Sequence, residues 1–147
     1  MAIPARGYPA GRGSPLYQFL DRSAAELTYV DQLLLTSMRQ WVATMRAGRC
    51  PCSVLGPVLR GRGLVELLPD LNMAMLLIER EAVSQLCFKP PFAAEIGDDE
   101  ALLLSLHALA RAGAQPRVDA VIEQIVKPEA RLPLSVAVAR IAVAFAR

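Results

Sequence analysis

Apolar residues recur at spacings of three and four along almost the whole chain, the repeat of helices that bury one face. The clearest run is Leu27, Val30, Leu34, Met38, Trp41 and Met45. Ahead of it, Ser23-Ala24-Ala25-Glu26 has capping-box spacing, in which the Ser oxygen and the Glu carboxylate each take an orphan amide. A long helix is expected to start at Ser23 and to end before Gly48, which supplies the left-handed conformation of a helix stop. Earlier still, Ser14-Pro15 is expected to open a shorter helix through Phe19 and Leu20, with proline where no amide hydrogen is missed.

Pro51, Gly56, Pro57, Gly61 and Gly63 punctuate the next stretch, so the pattern predicts a connecting segment with at most a short, irregular helix around 53–59. Asp70, after Pro69, is expected to cap a helix whose Leu71, Ala74, Met75, Leu77 and Ile78 place it centrally in the core. Phe88-Lys89-Pro90-Pro91-Phe92 then forces extended backbone, because a residue before proline is pushed out of the helical region. A loop therefore separates two helical halves.

Three helices are expected in the C-terminal half. The first, 98–112, has an acidic opening turn of Asp98, Asp99 and Glu100 that complements the helix dipole, and it ends near Gly113. Pro116 opens the second, with Val118, Val121, Ile122 and Ile125 on one face and Lys127-Pro128 closing it. The last begins near Leu132 or Pro133. Its Leu134, Val138, Ile141 and Phe145 share a face, while Ala137, Ala139, Ala142 and Ala144 permit close backbone approach. Neither strand alternation nor an internal repeat competes. The expectation is an all-α, compact bundle of five to seven helices, with 1–14 a flexible leader and 15–147 a single helical domain.

Composition narrows the class. With 147 residues, 54% of them hydrophobic and 20% charged, the chain is long enough for one sizeable core and too short for a two-domain enzyme. Its apolar content excludes disorder as the dominant state. Apolar runs are interrupted by Asn72, Glu79 or Arg140 before reaching the roughly 20 residues of a membrane span, which predicts a soluble protein without one. Three cysteines, an odd number, favour a reducing compartment and hence a cytoplasm. Fourteen Arg against two Lys suggest a GC-rich, bacterial genome. Residues 1–62 hold eight Arg against Asp21, Glu26 and Asp31, a net of +5, and the remainder is −3, together the overall +2.

Candidate chemistry is sparse. Cys50-Pro51-Cys52 places two soft ligands two residues apart, and Cys87 with the lone His107 would complete a four-ligand zinc set. A Cys-Pro dipeptide also presents a thiolate to ferric haem in some sites. Against these stands the simpler reading of cysteine as a small buried hydrophobe and of His107 as a boundary residue in a Leu-rich helix. Paired carboxylates occur at Glu66 and Asp70, at Glu79 and Glu81, and from Asp98 to Glu100, without the Glu-x-x-His spacing of di-iron bundles. Phosphate-loop, dinucleotide and nucleophile-elbow motifs are missing from the sequence.

Two surfaces remain. Arg39, Arg46, Arg49, Arg60 and Arg62 fall in a stretch without an acidic residue, a candidate dock for an acidic protein or for phosphate, nucleic acid included. The Ala- and Val-rich final helix suits the centre of a bundle or a subunit interface. The leading expectation is a small non-enzymatic protein acting by protein–protein interaction, through self-association or as an adaptor or regulator. Its rivals are a thiol-based metal, haem or redox sensor at Cys50 and Cys52, and a nucleic-acid-binding regulator using the 39–62 stretch.

Overall fold

The computed structural model describes residues 18–20 and 22–146, and among them the chain forms six α-helices and no strand. They are α1 Tyr29–Arg46, α2 Pro51–Gly61, α3 Leu68–Glu81, α4 Asp98–Arg111, α5 Gln115–Ile125 and α6 Pro128–Phe145. The leader and the Ser14-Pro15 start lie outside the described residues, although Phe19 and Leu20 pack on the core. The all-helical bundle matches the periodicity.

Several boundaries differ from expectation for local reasons. Ser23 heads only a 3-10 turn, Ala24–Glu26, in which its amide donates to Glu26 Oε1 at 2.9 Å. The long helix starts six residues later, where Thr28 Oγ1 accepts from the Asp31 amide. Gly48 at φ +75° and Gly113 at φ +73° end α1 and α4 as read. The 49–63 segment is not irregular: α2 is a regular helix with Pro51 in its first turn and Pro57 inside it. The carbonyl that Pro57 leaves without a donor belongs to Ser53. Both residues are exposed, so water can serve that carbonyl while Leu55 and Leu59 anchor the opposite face. Asp70 sits inside the first turn of α3 rather than capping it. Helix α6 starts at Pro128, four residues earlier than expected, with exposed Pro133 close enough to the N-terminus that the carbonyl it deprives of a donor belongs to exposed Glu129 in the opening turn.

Helix α6 is the hub, packed most extensively on α3 and also against α4 and α5, while α1 pairs mainly with α2. The core runs through Leu34, Trp41, Leu59, Met75, Leu104 and Ile141, all essentially without exposure. Trp41 keeps its one polar atom satisfied by donating Nε1–H to Asn72 Oδ1 at 2.9 Å. The segment 82–97 between the halves is non-helical yet pinned at both ends. Val83 N donates to Ile125 O and Lys127 N to Glu81 O, both at 2.9 Å, tying the end of α3 to the end of α5. At the other end Ala24 N donates to Ala94 O at 2.7 Å.

Candidate functional site

Arg39 changes character on folding. Counted at sequence level among the surface cations, it is 2% exposed and belongs to no docking patch. Its Nε donates to Glu100 Oε2 at 2.7 Å and Nη2 to Oε1 at 2.9 Å, a bidentate pair. The remaining donors go to backbone: Nη1 to Ala93 O at 2.8 Å and Nη2 to Glu95 O at 2.6 Å. Glu100, wholly buried, also accepts from Lys89 N at 3.0 Å and Gly97 N at 2.9 Å. Asp99 Oδ2 takes the Cys87 amide at 2.7 Å. Two acidic residues that complement the α4 dipole thus also serve as backbone acceptors for the 82–97 loop. The pair clamps that loop onto α1 and leaves Phe92, at its tip, 96% exposed.

The other four arginines, Arg46, Arg49, Arg60 and Arg62, are exposed along the end of α1 and along α2. Arg62 lies over the Tyr29 ring, 5.6 Å from its centroid, and donates to its hydroxyl at 3.2 Å.

The four soft ligands are not brought together. Cys50 is the exposed N-cap of α2, Cys52 is half-buried in its first turn, Cys87 is exposed in the loop, and His107 is buried in the middle of α4. Among the described residues no three His, Cys, Asp or Glu side chains gather in a metal-holding group. The expectation of buried, core-like cysteines is also revised, since two of the three face water. Burial, followed by the neighbouring Cys50 thiol, pushes the Cys52 thiol up. His107 is held down to about 4 by burial and then by the Arg111 charge, and its Nδ1 finds no hydrogen-bond partner. It is a neutral core residue at physiological pH, not a boundary one.

The least expected feature is the outer side of α6. Ala130, Leu134, Ala137, Val138, Ile141 and Ala144 are buried on its inner face. At the 100° per residue of an α-helix, Leu132, Val136, Ala139 and Val143 fall within about 60° of arc on the opposite side. There Leu132 is 74% exposed, Val136 50% and Val143 56%, and Ala139 is exposed as well. Their spacing of four, three and four is that of heptad core positions. Alongside, a groove of about 280 Å³ opens between α6 and the facing parts of α4 and α5. On the α6 side its wall is Ala139, Ala142, Val143 and Ala146, set at i, i+3, i+4 and i+7. Gln115 and Ser135 close the rim through a 3.2 Å hydrogen bond.

Sequence reasoning flagged the final helix and missed its second seam, although the heptad spacing was readable. It also missed the Arg39–Glu100 pair. The available clue was Arg39's place four residues after Leu35 and three before Val42, on a face otherwise given to burial. Comparison of the chain with protein-family models, with curated proteins and with solved structures finds no match.

Proposed function

We propose that this is a small non-enzymatic helical protein that acts through protein–protein interaction, by self-association or as an adaptor or regulator. One observation carries the reading: α6 is apolar on both sides, and its outer row of Leu132, Val136 and Val143 meets water. A helix apolar all round is normally covered on all sides, and a contiguous exposed apolar row marks a contact surface. The state of His107 supports the same reading, because the chain's single imidazole is enclosed within α4 and away from any incoming substrate.

The test is a photo-reactive amino acid placed at Val136 in the living cell, with a second at exposed Glu123 on α5 as control. A discrete protein adduct at 136 and none at 123 is the expected result. Absence of any adduct at 136 sinks the reading.

A second reading, thiol chemistry at Cys50 and Cys52 with a soft metal or haem, is favoured by the accessibility of Cys50 at the open end of α2. It requires that protein purified without oxygen carry bound metal or haem, or thiols reacting faster than free cysteine, and that Cys50→Ser/Cys52→Ser abolish this. Three ordinary thiols on an empty protein would retire it.

A further inference from the structure

We infer that the outer face of α6 docks a second copy of this chain, the two α6 helices lying antiparallel about a two-fold axis. This rests on the interaction reading above and names its partner. Heptad-spaced apolar rows pack by inserting each protruding side chain between four residues of the facing helix. Both halves of that fit are present on one α6. Leu132, the most exposed of the row, is the knob. Ala139, Ala142, Val143 and Ala146, which wall the groove of about 280 Å³, form a hole of the required i, i+3, i+4, i+7 pattern.

Knob and hole lie at opposite ends of the row, so they meet only when the second helix runs the other way. Leu132 then enters the partner's groove beside the partner's Val143, and Val136 faces the partner's Ala139. Large residues oppose smaller ones in every layer. A parallel pair would instead set Leu132 on Leu132 and Ala139 on Ala139, leaving a gap at the alanines. It would also align the two helix dipoles, which the antiparallel arrangement opposes.

Charge favours a copy of the same chain over an acidic or basic partner. The positions flanking the row are Pro133, Ser135, Arg140 and Ala142. The single charge among them, Arg140, is matched by Asp70 of its own chain at 2.9 Å. The antiparallel register sets it nearest the partner's Pro133, and the intrachain Asp70 offsets the repulsion between the two copies' Arg140 across the axis. The cation that lines the groove, Arg111, is engaged by Asp31 of its own chain at 2.9 Å, and the exposed Arg46, Arg49 and Arg60 lie away from this face on α1, its following turn and α2. From Leu132 to Val143 the seam runs about 16 Å at the helical rise. That is short for a standard interface of about 800 Å² per partner, so the dimer should form reversibly with concentration.

Light scattering across a dilution series, on the wild type and on Val136→Asp, reads the assembly. The expected result is a wild-type mass that climbs to twice the monomer's with concentration, and a variant that stays monomeric with unchanged circular dichroism. The arrangement is read independently in a chain with Cys50, Cys52 and Cys87 changed to Ser and carrying Leu132→Cys and Val143→Cys. Within one chain those positions are about 16 Å apart, too far for a disulfide, which needs about 7 Å or less between Cα atoms. A 132–143 link in a covalent dimer, found by peptide mass spectrometry, supports the antiparallel pair, and a 132–132 link overturns it. A wild-type monomer at every concentration, with the photo-adduct at 136 formed to a different protein, overturns the second copy and leaves the interaction reading standing. A monomer with no adduct removes both.

Discussion

The 82–97 loop and the outer face of α6 solve opposite problems with opposite materials. The loop has no helix or strand and only isolated bridges at its two ends to satisfy its backbone, and the chain holds it with the most expensive groups available, a buried guanidinium and a buried carboxylate. Helix α6 has every interior backbone group satisfied by its own turns except where proline intervenes, yet it exposes Leu132, Val136 and Val143. Burial of charge therefore marks where the fold is fixed from within. Exposure of apolar surface marks where it is unfinished. The contrast predicts that mutations at the clamp act on stability and mutations on the outer face act on association.

Glu100→Ala should break this division most severely if it is wrong. It leaves Arg39 charged and buried and strips acceptors from the Lys89 and Gly97 amides, so a loss of about 3–5 kcal/mol is expected. Urea unfolding with an unchanged slope measures it, and a loss below about 1 kcal/mol would show that water reaches the pair. Next, Leu134→Ala and Leu132→Ala compare the two faces of one helix. The buried site should lose about 2–5 kcal/mol, and the exposed one, measured in the monomer, should stay within about 0.5 kcal/mol.

His107 gives a third separation, by pH. Its folded value of about 4 lies below the ordinary 6.5, so the unfolded chain binds more protons in that window. The His107 contribution to stability is intact above pH 6.5 and falls as the pH drops towards 4, by about 3 kcal/mol over the window. His107→Leu should remove that slope. Smallest of all, Phe92→Ala should leave stability within about 0.5 kcal/mol, because the ring is 96% exposed and the clamp grips the backbone beside it.

Periodicity read the helices well because it reports burial directly, as for Leu34, Met38 and Trp41 on α1. It placed the loop through Pro90 and Pro91 for a purely local reason. It failed at α2 and at the start of α6, where prolines looked like breakers. The damage of a missing amide depends on whether the deprived carbonyl faces water, and only the assembled fold decides that. The clamp was harder still. Arg39 and Glu100 are 61 positions apart, and each has an adequate local explanation, one as a surface cation and the other as a dipole partner. The four-ligand set counted ligand types alone, and among the described residues Cys50, Cys52, Cys87 and His107 do not gather into one group.

The gripped loop has a consequence for chain continuity. Its tip at Phe92 is presented to water, while the backbone on either side is fastened separately, Lys89 to Glu100 on one flank, Ala93 to Arg39 and Ala94 to Ala24 on the other. A cut at Phe92 would therefore sever the covalent link without releasing either flank. The Arg39 segment and the Glu100 segment would act as complementary halves, each holding a charge that only the other can neutralise. The natural place to split this protein into two co-expressed fragments is between its two helical halves, at the ring of Phe92.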